Sequence, residues 1–136
     1  MSVVKELLCS GPGESINFGN HKLADKAKKE DFEHGGSLWK VKTSKELTRL
    51  EKNGMFVYES VPGTSVHGFS ETEEGLSFVV DGDEDAQITV DLTEATEYEV
   101  LVADESVGKM KTNLGGKLSF AVRLAGSSEV PVKIVK

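Results

Sequence analysis

Cysteine is nearly absent from this chain. Cys9 is the single one among 136 residues, so no intrachain disulfide forms. With only Lys5 as a basic neighbour and no helix start beside it, Cys9 reads as a small apolar residue rather than a reactive thiol. Histidine is limited to His21, His34 and His67, too scattered, with one cysteine, for any zinc-ligand spacing. Arginine is limited to Arg49 and Arg123. No apolar run approaches the roughly 18 residues of a membrane span. The segment Met1–Cys9 is too short for a secretory signal, and Glu6 interrupts its apolar run. A cytoplasmic location away from membranes is therefore expected. The chain also lacks a long helical period, a low-complexity tract and a strong internal repeat.

What it has in excess is acid. Twenty-three Asp and Glu against 16 Lys and Arg leave a net charge of −7, which argues against nucleic acid, since phosphate binding needs a clustered positive surface. The charge is distributed in blocks. Residues 22–52 hold nine Lys/Arg and six Asp/Glu, residues 53–105 hold fourteen Asp/Glu and no Lys or Arg, and residues 106–136 hold six Lys/Arg and one Glu. Such blocks either pair within one sheet, with Glu97 and Glu99 opposite Lys109 and Lys111, or meet between subunits. A homo-oligomer is expected on the second account.

Extended-chain signals dominate. Val3–Cys9 and Ser15–Phe18 are short strand candidates, and Leu38–Thr43 places Trp39 and Val41 on one face. Asp25–Asp31 has helical composition with almost no apolar face and reads as a solvated loop or a single turn. Asn53-Gly54 between two strand-like runs predicts a type I′ hairpin, with Lys52 facing Met55, Leu50 facing Val57 and Thr48 facing Glu59. Val61-Pro62-Gly63 then breaks the pattern. Beyond it the spacing predicts seven strands: Thr64–Phe69, Leu76–Asp81, Ala86–Leu92, Tyr98–Ala103, Val107–Thr112, Lys117–Leu124 and Val130–Val135. Apolar residues alternate in them, as in Leu76, Phe78 and Val80, and turn signals such as Gly126-Ser127-Ser128 separate them. The expectation is an all-β protein, with a small N-terminal β subdomain over 1–62 and an antiparallel, immunoglobulin-like β-sandwich over 63–136.

Leu92-Thr93-Glu94-Ala95-Thr96-Glu97-Tyr98-Glu99-Val100 resembles the corner of fibronectin type III domains. The resemblance implies that Tyr98 places its hydroxyl on the backbone near Leu92 and that Leu92 is core. The stretches Leu47–Thr64 and Lys109–Leu118 further resemble a group of short proteins of anaerobic Gram-positive bacteria often labelled endosialidase, which implies glycan hydrolysis. Sialidases grip a carboxylate with clustered arginines. Two arginines, the absence of a Ser-x-Asp-x-Gly-x-Thr-Trp repeat and a length far short of a six-bladed propeller fit that activity only if subunits share a site.

Candidate chemistry is sparse. Asp81, Asp83 and Asp85 alternate in a tight loop and could converge on calcium, although Ala86 and Leu92 stand where an EF-hand needs glycine and glutamate. A solvated hairpin loop is the plainer reading. Ser65 and His67, two apart on one strand, do not form a nucleophile and base, and His21 and His34 read as isolated loop residues. Hydrolases of glycans need two carboxylates about 5–10 Å apart, a condition that 23 acidic residues meet somewhere by chance. For stacking on sugars Trp39 and Tyr58 are the available platform, with Arg49 beside them as the ligand cation, and core or interface packing is the plainer reading of both aromatics. The reading that follows is a non-catalytic binding or assembly module for a glycan or another protein, with a glycan hydrolase as the alternative.

Overall fold

A computed structural model describes residues 3–125 and 129–136. Among these residues there are 13 strands and no helix. They form two antiparallel sheets whose inner faces share one core, so the chain is the β-sandwich that its alternation predicts. The strands are β1 (Leu8–Ser10), β2 (Ile16–Phe18), β3 (Ala27–His34), β4 (Ser37–Thr43), β5 (Thr48–Lys52), β6 (Met55–Val61), β7 (Ser65–Thr72), β8 (Gly75–Asp81), β9 (Ala86–Asp91), β10 (Glu97–Val102), β11 (Glu105–Lys111), β12 (Lys117–Val122) and β13 (Val130–Val135). One sheet runs β1-β2-β7-β8-β13-β10-β11 and the other β12-β9-β6-β5-β4-β3. Strands from both sides of residue 62 enter both sheets.

All seven strands expected after residue 63 are present, and Glu97 and Glu99 face Lys111 and Lys109. The turn signal at Gly126-Ser127-Ser128 lies outside the described residues. Alternating Leu76, Phe78, Val80, Ile88, Val90, Leu118, Phe120, Val122, Val130, Val132 and Ile134 are all buried. Burying each such side chain is worth about 1.5–3 kcal/mol relative to exposure, which is why the period of two fixes the inward face of every strand. The corner also forms. Tyr98 is buried, the Thr93 amide donates to its Oη at 3.2 Å, and Leu92 packs half-buried against the core.

Three expectations for the N-terminal half need correction. The first strand is Leu8–Ser10 rather than Val3–Cys9, because Leu7 takes a left-handed conformation at φ 70° and its amide turns back to the Val4 carbonyl. Asp25–Asp31 is not a solvated loop. Its residues from Ala27 onward enter β3, an edge strand on β4, where ladder bonds order the backbone while charged side chains stay in water. The Asn53-Gly54 hairpin forms with Lys52 opposite Met55, but a β-bulge shifts the rest by one residue. Leu50 faces Tyr58 and Thr48 faces Ser60, with Val57 as the extra residue.

That bulge sends Tyr58 inward. Its ring meets Phe18 at 5.1 Å and Phe78 at 5.6 Å, both edge-to-face, joining the two sheets. Its hydroxyl lies 2.8 Å from Thr64 Oγ1, which also contacts Ser60 Oγ at 2.7 Å. Thr48 Oγ1 donates to the Thr64 carbonyl at 2.7 Å and lies 2.8 Å from Thr43 Oγ1. These hydroxyls are buried and mutually satisfied, the condition under which polar groups are tolerated in a core. Burial pushes the Tyr58 phenol well above its ordinary pKa.

Candidate functional site

The structure separates the three residues expected to bind ligand. Tyr58 is fully buried and offers no platform; the bulge that no local pattern encodes is the reason. Arg49 lies on the outer face of the six-stranded sheet, held by Glu51 and Glu59 at 3.2 Å each and stacked 5.1 Å from the Phe56 ring centre. Trp39 alone reaches a recess, with 6% of its surface exposed.

This recess, of about 180 Å³, opens where the β3–β4 hairpin of one sheet meets β7 of the other. Its polar lining is Glu14, His34, Lys52 and Glu71 around Trp39. Each is placed by a local feature. Gly35-Gly36, both at positive φ, turn the chain so that β4 returns along β3. Register then sets Trp39 opposite Lys52 in β5. Lys52 Nζ lies 5.3 Å from the Trp39 ring centre and 3.4 Å from Glu71 Oε1, so one ammonium joins ring and carboxylate. Trp39 Nε1 donates to the His34 carbonyl at 3.0 Å, which fixes the indole.

His34 is not the isolated loop residue expected of it. Its ring stacks on Phe32 with centroids 6.4 Å apart and meets Trp39 edge-on at 6.3 Å. Nε2 lies 3.0 Å from the Glu14 carbonyl, and a carbonyl only accepts, so Nε2 carries the proton. Nδ1 lies 2.8 Å from Ser10 Oγ. The imidazole thus spends both nitrogens on orienting the recess. Chemically, the site combines an aromatic edge, an ammonium donor, the Glu71 carboxylate and the lining residue Glu14 in a small hollow, a lining suited to a polyhydroxylated group. Of these residues only Trp39 is visible as a site residue in the sequence. Glu14, His34, Lys52 and Glu71 come from four separate segments, and the one available signal is the Trp39–Lys52 register of the β4–β5 pair.

A second recess, of about 260 Å³, lies on the outer face of the seven-stranded sheet among His67, Val79, Leu101, Pro131, Lys133 and Asp104. Gly68 in β7, at φ 65°, forms the irregularity that hollows this face. The hollow is mostly apolar, with His67, Ser77, Asp104 and Lys133 as its polar lining.

The remaining candidates are accounted for by internal bonds. Asp81 Oδ1 accepts from the Gly82 amide at 2.8 Å, and Asp85 Oδ1 from the Leu124 and Ala125 amides at 3.0 Å each. Asp83 Oδ1 takes Lys22 Nζ at 2.6 Å. The Lys22 hydrogen bond holds the Asp83 carboxyl below the usual carboxylate range. The three carboxylates therefore point to different partners, and among the described residues no group of three or more His, Cys, Asp or Glu is placed to hold a metal ion. Ser65 does meet a histidine, but it is His21: Oγ lies 2.7 Å from Nδ1, while Nε2 faces Asp83 at 3.7 Å. The serine and histidine of this set are sealed, with Ser65 0% and His21 3% exposed, while Asp83 stands in solvent. No substrate carbonyl can approach the hydroxyl, and the set is an internal clamp between residues 19–22 and β7. Desolvation lowers the His21 pKa, opposed by Asp83 and Asp81.

Comparison with protein-family models, curated proteins and solved structures finds no match to this chain. Among the described residues no helix is long and apolar enough to cross a membrane.

Proposed function

We propose that the protein is a non-catalytic β-sandwich binding and assembly module, homo-oligomeric, whose ligand is a glycan or a polar segment of another protein held at the Trp39 recess. One observation carries the reading: Trp39, Lys52 and Glu71 converge on one hollow with His34 fixing its wall. Its volume is below the roughly 300–1,000 Å³ of pockets for drug-sized ligands, so it suits a single sugar ring of a longer glycan. The net charge of −7 supports a partner other than nucleic acid. Trp39 is the only tryptophan, so its fluorescence reports on the recess directly. A glycan-array screen followed by fluorescence titration of the hits tests the proposal. Binding that changes Trp39 emission and is lost in Glu71→Gln and Lys52→Met is the expected result. Glycan binding indifferent to both substitutions, or no binding to glycan or protein, overturns it.

A glycan hydrolase of the endosialidase-like kind is the second reading, favoured by one specific feature: Glu14 and Glu71 both line the recess, and most glycoside hydrolases work with a pair of carboxyl residues. Neither Arg49 nor Arg123 lines it, so in one subunit Lys52 would be the cation for a sialic carboxylate. Turnover of sialosides abolished by Glu71→Gln or Glu14→Gln is the outcome that selects this reading. The fibronectin-like corner supports an immunoglobulin-like reading of the sandwich. Calcium binding at residues 81–85 would have to turn three carboxylates that now bond to Gly82, Lys22, Leu124 and Ala125 toward one point, and a rise in Tm on adding calcium would reveal it.

A further inference from the structure

Four strands form the outer edges of the two sheets among the described residues: β1 and β11 in one, β12 and β3 in the other. Open edges invite added strands, and natural proteins blunt them by shortness, bulges and charge. Three of these four are blunted. β1 has three residues and is followed at once by Gly11-Pro12. β11 slips in register against β10, carries Gly108 at φ 114°, and bears Glu105, Lys109 and Lys111. β3 slips between Lys29 and Phe32, has Asp31 at φ 57°, and is charged along most of its length.

β12 is neither short nor bulged, and its one charged residue, Lys117, stands at its start with the ammonium on Asp91. It pairs with β9 through six consecutive residues without a register shift. Leu118, Phe120 and Val122 are buried, while the outward-facing Ser119 and Ala121 are small and exposed. The backbone parity can be read from its first residues. The Gly116 carbonyl accepts from the Leu92 amide at 2.7 Å, so even-numbered residues address β9. The Lys117 amide donates to Asn113 Oδ1 at 2.9 Å, and its carbonyl accepts from the Asn113 amide at 3.1 Å. Odd-numbered residues therefore face the open side. Lys117 is already capped, which leaves the amides and carbonyls of Ser119, Ala121 and Arg123 along the edge.

We propose that this edge joins a second copy of the same chain, β12 to β12 antiparallel, about a two-fold axis at Ala121. In this register Ala121 faces Ala121 of the second copy and Ser119 faces Arg123. Every open amide and carbonyl on both copies is then used. Two nearby two-fold registers are worse. Centring on Phe120 sets Lys117 against Arg123 of the second copy, a like-charge pair. Centring on Ser119 sets Ala121 against Lys117, whose backbone groups Asn113 already occupies. The join would continue the six-stranded sheet across both copies. As an edge contact it is small, and each copy carries −7, so association weakens at low ionic strength, where the repulsion is less screened.

The inference rests on the homo-oligomeric part of the reading above and is independent of the Trp39 recess, since the tests below need no ligand. In a Cys9→Ser background, Ala121→Cys is expected to form a disulfide-linked dimer under mild oxidation, because facing residues of such a pair have Cα atoms about 5.5 Å apart. Ser119→Cys is expected not to, because its two copies stand four residues apart along the strands, roughly 14 Å. Light scattering of the unmodified chain over a concentration series is expected to show a dimer. Ala121→Pro is expected to abolish it with an unchanged circular dichroism spectrum, because that amide is not used by β9. A monomer at every concentration, a dimer indifferent to Ala121→Pro, or cross-linking through Ser119→Cys but not Ala121→Cys overturns the proposal, the first outcome leaving a strand of another protein as the occupant.

Discussion

The Thr93 amide donates a hydrogen bond to Tyr98 Oη at 3.2 Å, closing the corner where the chain passes from β9 in one sheet to β10 in the other. The ring is buried and Thr93 is exposed, so water can replace the hydroxyl once it is removed. Tyr98→Phe is expected to keep the fold and to cost about 0.5–1.5 kcal/mol, the net worth of one such bond. In urea unfolding the midpoint should fall while the slope stays unchanged. An unchanged midpoint would show that the corner bond contributes nothing.

The hydroxyl cluster around Thr64 should respond more strongly. Tyr58→Phe leaves Thr64 Oγ1 still bonded to Ser60 Oγ. Thr64→Val removes the shared partner and leaves the Tyr58 and Ser60 hydroxyls, both in residues with no exposed surface, to bond each other with one O–H stranded. Each stranded buried group costs roughly 1–3 kcal/mol. Thr64→Val is therefore expected to destabilise more than Tyr58→Phe does, despite its near-equal volume. Equal effects in paired urea titrations would mean that the cluster relaxes to satisfy itself.

The contrast between Tyr98 and Tyr58 shows what can be read from sequence alone. Tyr98 stands in a strand whose alternation with Val100 and Val102 is unbroken, so its face follows from local pattern. Tyr58 stands one residue beyond a bulge, and both it and Val57 are buried, a pair that strict alternation forbids. Only the partner strand β5 decides where the extra residue goes. The charged segment 27–34 misleads for a related reason, since its order comes from β4 rather than from its own composition. The recess is harder still to foresee. Its four polar residues are brought together by sheet packing, and only the Trp39–Lys52 pair is a neighbour relation that register could give.

Glycine substitutions should separate crowding from backbone conformation. A Cβ on Gly63 would run into the Ser44 carbonyl oxygen, and Gly63 does not have positive φ. Its amide also donates to the Lys45 carbonyl at 3.0 Å, where the chain crosses from β6 to β7. Gly54 has φ 79° and open space around it. Gly54→Ala is thus expected to cost about 1–2 kcal/mol from the left-handed conformation alone. Gly63→Ala collides with backbone that cannot rotate away and should reach or exceed the roughly 3 kcal/mol upper range of overpacking. Thermal unfolding of the two variants side by side checks the order, and a milder effect at Gly63 would contradict the close approach.

The clamp formed by His21 makes stability depend on pH in a direction that can be worked out. Burial lowers the His21 pKa below its ordinary value near about 6.5, so the unfolded chain takes up a proton before the folded one. Stability is then fully present above that ordinary value. It falls as pH drops through it, until the folded pKa is passed and the loss levels off. Asp83 acts in a separate, lower window: its carboxyl is depressed chiefly by the Lys22 hydrogen bond, so its contribution is present above about 3.9 and is lost as pH falls through its folded pKa. The two substitutions have opposite expected effects. His21→Asn, which can still offer a polar atom to Ser65, should flatten the decline in urea midpoint between about pH 7 and 5. Asp83→Asn removes the strongest charge that raises the His21 pKa, so the decline in that range should steepen. Parallel pH profiles for the unmodified chain and both variants would show that His21 is not the group responsible.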